Sequence, residues 1–310
     1  MFIYSTFEVE GNGRLGNQLF EIATTLGFAR FCGHQAAIST WKYQSYFQLQ
    51  GLTILEKDSH YRDQPVLMPG TQILVYERGE RDWFRCMLKE YAFFAQSPDS
   101  VTIDLRGLFQ CYQNFQHCEE ELLTSVLAFR PEFKAAVLQK QPIPQKACAI
   151  HVRRTDFLEI PDHFYVLPLY YYQQAIQAML SETDCEHFVV FSDDIEWCRE
   201  NVLPLLSGQS VTFSEGLSDI EDLCAMASCD YHIIANSTYS WWGSYIGRSK
   251  HTIAPPVWVD FESLSRELLL KSLFEGRPNT VVLERELEAI LHRVFMTMIT
   301  TTFKPLSKSP

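Results

Sequence analysis

The chain has 310 residues, of which 46% are hydrophobic and 21% charged, with a formal net charge of -12. The length suggests two domains, each able to bury its own core, and the composition is that of a globular protein. The acidic balance argues against a general nucleic-acid or anionic-membrane surface, so an anionic ligand would need a local basic pocket. The start, Met-Phe-Ile-Tyr-Ser-Thr-Phe, lacks the basic region and long apolar core of a signal peptide, and no transmembrane run is visible. Nine cysteines contain no Cys-x-x-Cys, and several (Cys148, Cys224, Cys229) lie in apolar segments as reduced buried thiols would. The chain as written therefore reads as cytoplasmic, unless it is an excised lumenal domain.

In chain order, Phe7 to Glu10 reads as a strand, followed by Gly11-Asn-Gly-Arg-Leu-Gly16 and a long amphipathic helix over Asn17–Phe31. Cys32-Gly33 closes that helix, because glycine tolerates the left-handed cap conformation. Gln35–Ser39 is a second strand, completing a βαβ opening. Trp41–Ser97 is aromatic and broken by glycine and proline; short strands are expected near Gln72–Tyr76 within it and Thr102–Phe109 after it. His117–Phe129 and Pro131–Gln139 look helical. Gln141-Pro-Ile-Pro-Gln145 then breaks the pattern and marks a domain boundary, giving residues 1–143 and 144–310. The second half alternates cleanly: strands Lys146–Val152, His187–Phe191, Ser210–Phe213, Tyr231–Ala235 and His251–Ala254, with helices over Leu169–Leu180, Glu196–Val202, Ser218–Ser228 and Ser240–Ile246. Glu284–Met296 is a terminal helix, which could pack back on the N-terminal domain. Two α/β domains facing each other across a cleft follow, with apolar strands in parallel sheets.

The chemistry concentrates after Ala147-Cys-Ala-Ile-His-Val-Arg-Arg-Thr-Asp156, where an apolar strand ends in a polar cluster. Ligands of open α/β sheets bind at the carboxyl ends of strands. Strand alternation puts His151 and Arg153 on one face and Arg154 on the other. Two adjacent guanidiniums there either meet an anion such as phosphate in two-point contact, or pair with carboxylates inside the protein, Asp156 foremost. Gly11-x-Gly13-x-x-Gly16 resembles a dinucleotide fingerprint, but the second strand ends Ala37-Ile-Ser-Thr40 with no carboxylate to hold a ribose, so a substrate-binding helix start is favoured over a nicotinamide or flavin site. A tight turn with no ligand remains an alternative.

Ser192-Asp193-Asp194 sits at another strand end; Asp194 suits a helix N-cap, and Asp193 is left for a ligand. Asp222 in the first turn of its helix can cap it or accept two hydrogen bonds from a guanine edge. Asn236-Ser237-Thr238, at a strand-to-helix turn, could cradle phosphate, and the Trp241-Trp242 that follows reads as core. No Asp-x-Asp pair occurs, so a metal bridging carboxylates and a diphosphate is not indicated.

Taken together, Gly13-Arg-Leu-Gly-Asn-Gln18, His151-Val-Arg-Arg-Thr-Asp156, Phe191-Ser-Asp-Asp194 and Asn236-Ser-Thr-Tyr-Ser-Trp-Trp-Gly243 resemble the α-1,2-fucosyltransferases, glycosyltransferase family 11. The resemblance implies a GT-B fold of two Rossmann-like domains, GDP-β-L-fucose as donor, a galactose-containing glycan as acceptor, inversion to an α-1,2-fucoside, and neither metal nor cofactor. By motif, His151 and Arg153 would contact the diphosphate with Arg154 close by. Asp222 would read the guanine, Ser237 and Thr238 would complete the phosphate site, and Asn17 would lie across the cleft from the reacting sugar. Arg153 would stabilise the leaving diphosphate, while Asp156 and Glu159 are the candidates for the base on the acceptor hydroxyl. Animal members carry an N-terminal anchor, so a chain that had lost one would belong to the Golgi lumen or membrane. The rivals are a GDP-sugar or carbohydrate-binding module without turnover, and a Rossmann oxidoreductase. Oligomeric state is left open.

Overall fold

The computed structural model describes residues 2–5, 13–55, 72–77, 86, 88, 101–160, 164–259 and 266–283. The expected strand Phe7–Glu10, Gly11 and the expected terminal helix Glu284–Met296 lie outside these residues. The first described strand is β1 (Phe2–Ser5), followed by helix α1 (Leu15–Cys32) and strands β2 (Gln35–Ser39), β3 (Leu52–Leu55), β4 (Gln72–Glu77) and β5 (Val101–Arg106). These form one parallel sheet in the order β3-β2-β1-β5-β4.

The expected amphipathic helix is buried on nearly every face, Glu21, Thr24 and Thr25 included. It is covered on both sides: Thr25 hydrogen-bonds Ser5 of β1 at 2.5 Å, and Phe20 packs on a helix of the second half. Gly33 ends it at φ 72°, where its N–H reaches the carbonyls of Ala29 and Arg30.

The stretch expected as one helix over His117–Phe129 is broken into a 3-10 turn (Gln116–Cys118), one turn of helix α2 (Glu119–Glu121) and a π turn (Leu122–Val126). The wider turn lets Leu122, Leu123 and Val126 all face inward, while Arg30 grips Glu121 with hydrogen bonds of 2.5 and 2.9 Å. Helix α3 (Pro131–Lys140), opened by its proline, leads to the Gln141–Gln145 break.

The second half begins with β6 (Ala147–Val152), buried at every position. Helices α4 (Thr155–Glu159) and α5 (Leu169–Glu182), strand β7 (His187–Ser192), helix α6 (Ile195–Asn201) and strand β8 (Ser210–Phe213) follow. Then come α7 (Asp219–Met226), β9 (Tyr231–Ile233), α8 (Thr238–Ile246), β10 (His251–Ala254), α9 (Arg266–Phe274) and β11 (Thr280–Val282). The sheet is parallel in the order β11-β10-β9-β6-β7-β8. Ser218 and Glu221 form the expected capping box of α7.

The two sheets share a hydrophobic core. Trp241 and Trp242 of α8 are fully buried, with ring centroids 4.6 and 5.1 Å from Phe20 of α1, and Phe115 stacks on Trp242 at 5.7 Å. The tryptophans are therefore core. Truncating one buried aromatic of this size costs about 3–5 kcal/mol, so the joint between the halves is a packed contact.

Candidate active site

In each sheet the strand order reverses once, and the two reversal points face each other. In the first, β1 feeds β2 and β3 on one side while β5 and β4 lie on the other. In the second, β6 feeds β7 and β8 on one side while β9, β10 and β11 lie on the other. Such switch points open a crevice at the strand carboxyl ends. Arg14, Asn17 and Gln18 follow β1, and Gln110 follows β5. Arg153 follows β6, and Asn236, Ser237 and Thr238 follow β9.

Close approach is possible because Gly16 lacks a side chain: a Cβ there would stand 2.6 Å from both Thr238 Oγ1 and Tyr239 N. Next to it, Asn17 Oδ1 accepts from Thr238 Oγ1 at 3.0 Å and from Gln110 Nε2 at 3.1 Å, so one oxygen joins residues of both switch points. Gln18 receives Trp41 Nε1 at 2.9 Å and donates to Gly13 O at 3.1 Å. Tyr43 donates to Asp219 of α7, a second polar contact between the halves.

The two arginines have different surroundings. Arg153 Nη2 meets Asp156 Oδ2 at 2.7 Å and its Nη1 meets Asp193 Oδ2 at 3.2 Å, which fixes the plane of the fork from two sides. Arg154 turns away: its Nε pairs with Asp194 at 3.3 Å and its guanidinium lies 3.8 Å over the Trp197 ring. Asp193, expected as a ligand contact, also accepts from Arg154 N, Thr155 N and Thr155 Oγ1, so it organises the turn after β6. Asp194 caps α6 by accepting from Trp197 N, as its type suggests.

Asp156 is paired twice, by Arg153 and at 3.2 Å by Arg14 from the opposite half, both on Oδ2. The internal pairing of an arginine with Asp156 is thus realised, by Arg153. Glu159, at the end of α4, is exposed.

His151 is buried, and burial pushes its imidazole down to about 4, so at neutral pH it is an uncharged hydrogen-bonding group beside Tyr239, ring centroids 5.5 Å apart. Asn236 spends its amide on the carbonyls of Tyr165 and Trp258, at 2.8 and 3.0 Å, bracing the turn. Ser237 caps α8 by accepting from Tyr239 N, leaving the helix start pointing toward the switch point. Among the described residues, His151 Nδ1, Asp156 Oδ1 and Asn236 Oδ1 are buried polar atoms with no hydrogen-bond partner. Such atoms are costly unless something meets them.

Asp222 sits at the first turn of α7, where Ser214 Oγ donates to its Oδ1 at 2.6 Å. Burial pushes its carboxyl up to about 6, with Glu221 and Asp219 adding repulsion against that hydrogen bond. Sequence reasoning did not single out Arg14, Tyr43, Gln110, Ser214 or Asp219. Two carried a signal: Arg14 inside the Gly13–Gln18 motif, and Gln110 as the polar end of an apolar strand. Among the described residues there is no group of three or more His, Cys, Asp or Glu side chains that could hold a metal ion. Nor is any helix there long and apolar enough to cross a membrane.

Residues 3–273 match the family described as Glycosyl transferase family 11. An α-1,2-colitosyltransferase of Escherichia coli is 29% identical over 269 residues, covering 82% of this chain and 92% of the relative. The galactoside α-(1,2)-fucosyltransferase 1 of Ateles belzebuth is 26% identical over 257 residues, covering 78% of this chain and 65% of that protein. Among solved structures, the fucosyltransferase NodZ from Bradyrhizobium superposes with a TM-score of 0.53 at 13% identity, covering 81% of this chain and 94% of that one. At that identity the likeness speaks for the fold, which is GT-B: two parallel α/β units whose strand ends face each other.

Proposed function

Since the chain belongs to glycosyltransferase family 11, we propose that it transfers L-fucose from GDP-β-L-fucose to a galactoside hydroxyl, inverting the anomeric centre to form an α-1,2 linkage without a metal. The observation that supports this most is the convergence at the β6/β9 switch point. A two-sided arginine fork, an uncharged buried histidine with an unanswered Nδ1, and the start of α8 meet there, opposite the first turn of α1. That arrangement suits a diphosphate. The fork gives two-point contact, and the α8 start supplies backbone amides and the positive end of a helix dipole.

In this reading, bond breaking at the sugar C1 pushes negative charge onto the diphosphate, and Arg153 is already oriented by Asp156 and Asp193 to receive it. His151 adds a hydrogen bond without adding charge. Asp222, as a carboxylate, accepts two N–H groups of the guanine. Arg154 supports the loop through Asp194 and Trp197. The acceptor hydroxyl gives up a proton as it attacks. Asp156 has an unpartnered Oδ1 at the site, which makes it the nearer candidate base, with Glu159 the alternative. Membership in a glycosyltransferase family sets the oxidoreductase reading aside.

The test is a glycan array with GDP-fucose, run in parallel with GDP-colitose because a relative carries that activity in its name. Fucose transfer to terminal galactosides supports the proposal. Transfer of colitose alone revises the donor. GDP binding with no transfer to any acceptor would return the chain to the binding-module alternative.

A further inference from the structure

The far end of α8 carries a second polar cavity, of about 210 Å³, distant from both switch points along the helix. Its walls include Glu119 and Tyr245, the guanidiniums of Arg248 and Arg277, and Ser249 and Asn279 from the amino-terminal side of β10 and β11. α8 is nine residues long, so the cavity and the Ser237–Thr238 turn are separated by about 13 Å of helix.

Arg277 is the unusual member. It is 7% exposed, and its guanidinium stacks 4.4 Å from the Trp241 ring. One nitrogen, Nη2, donates to Ser244 Oγ at 2.6 Å and to Trp241 O at 3.4 Å, near the carboxyl end of α8. That half of the group is accounted for as a cation at a helix terminus. The other half is not: Nη1 is buried without a hydrogen-bond partner, and no ion pair of Arg277 is present among the described residues. The hydroxyl of Tyr245, on the same cavity wall, is a second buried polar atom without a partner.

A buried cation without a counter-charge is expensive. Glu119 is the one acidic residue of the cavity wall, and its Oε2 accepts from Tyr112 at 2.8 Å. Arg248 reaches outward to Glu120 at 2.7 Å and is half-exposed. With Arg248 paired outward to Glu120, the wall sets Arg277 against Glu119, whose carboxylate already receives Tyr112, and it keeps two unanswered donors and space for more than one water-sized occupant.

We propose that this cavity is a binding site for a small inorganic oxyanion of the phosphate or sulfate class, held by Arg277, Arg248 and the Tyr245 hydroxyl. The anion completes the hydrogen bonding of Arg277 and ties the Glu119 segment of the first half to α8 and β10 of the second. The inference does not depend on the proposed reaction.

The probe is inorganic phosphate, titrated into the full chain by thermal shift and calorimetry at constant ionic strength, with and without saturating GDP. The expected result is a saturable rise in melting temperature that persists with GDP present and in Arg153→Lys. Phosphate affinity should weaken at least about tenfold in Arg248→Ala, and by a smaller factor in Tyr245→Phe, both of which keep the Arg277–Trp241 stack. If binding vanishes when GDP is present, the phosphate was occupying the cleft and the proposal is overturned. Absence of any saturable shift, or undiminished affinity in both variants, overturns it equally.

Discussion

Thr238 Oγ1 donates to Asn17 Oδ1 at 3.0 Å, bridging residues 221 positions apart, and Gln110 Nε2 donates to the same oxygen at 3.1 Å. This oxygen holds the first turn of α1 against the first turn of α8. Asn17→Ala leaves two donors unanswered, one of them on the largely buried Gln110. The expected loss of stability is about 1–3 kcal/mol. Turnover should fall further than GDP affinity does, because the alignment of the halves is lost while Arg153 and Asp222 remain. Steady-state kinetics beside calorimetric GDP affinity check this; an equal loss in both would make Asn17 a donor contact.

Gly16→Ala acts on the same joint by bulk. The new methyl group would lie 2.6 Å from Tyr239 N and from Thr238 Oγ1, inside contact distance. Parting α1 from α8 disturbs the Phe20–Trp241 packing, and overpacking of this kind costs about 1–3 kcal/mol. Thermal unfolding should show the drop. A variant as stable as the parent would mean the helices have room to separate.

Asp222 makes a prediction in pH. Burial raises its carboxyl from 3.8 to about 6, so the folded protein keeps this proton where the unfolded chain has lost it. Its contribution to stability therefore falls as pH rises from about 4 to about 6. Asp222→Asn should remove that fall and be the more stable protein at pH 7 in the absence of ligand. Guanine needs the carboxylate, so GDP affinity of the parent should weaken about tenfold per pH unit below about 6, and the variant should be weaker but flat with pH. Identical pH profiles for the two proteins would return Asp222 to a helix-capping role.

With no Asp-x-Asp pair in the sequence and the diphosphate charge assigned to Arg153 and the α8 start, turnover should survive excess EDTA. Loss of GDP release in EDTA, restored by Mn²⁺, would contradict the metal-free reading.

Much of this was legible in the sequence where strands are apolar and end in turns. β6 and β7 are short buried runs stopped by charge or serine, β8 is an alternating run at the sheet edge, and Ser218 with Glu221 announces α7. The strand Phe2–Ser5 was missed because four residues are too few to display a period, though Ile3 and Tyr4 are fully buried. The His117–Phe129 stretch reads as one helix because its apolar spacing is helical on average, while the π turn over Leu122–Val126 is flanked by Glu121, which Arg30 grips from 91 residues away. At the site, alternation correctly separated Arg153 from Arg154. Asp156 was legible as a partner, three residues from Arg153, but the pairings with Asp193 and Asp194 were not, since those carboxylates reach the arginines only through β6–β7 pairing. Arg14 and its pairing with Asp156 depend on how the two halves meet, which no local pattern encodes.

The candidate bases separate by kinetics. Asp156→Asn should lower turnover by about a hundredfold or more if it takes the acceptor proton, with GDP affinity little changed. Glu159→Gln, at an exposed position, should leave both near normal. The opposite pattern would move the base to Glu159. Parallel losses of turnover and GDP affinity in Asp156→Asn would make Asp156 a positioning residue for Arg153.

The central claim is that the Arg153 fork, and not Arg154, meets the diphosphate. The most direct measurement is turnover and GDP affinity for Arg153→Lys and Arg154→Lys, with folding checked by circular dichroism. An ammonium keeps the charge but cannot supply two-point contact. Arg153→Lys should lose about 1.5–3 kcal/mol of GDP binding and on the order of a hundredfold in turnover. Arg154→Lys, whose partners are Asp194 and Trp197, should keep turnover within a few-fold and show its loss in melting temperature instead. A folded Arg153→Lys with near-normal turnover, or an Arg154→Lys as impaired as Arg153→Lys, would contradict this account.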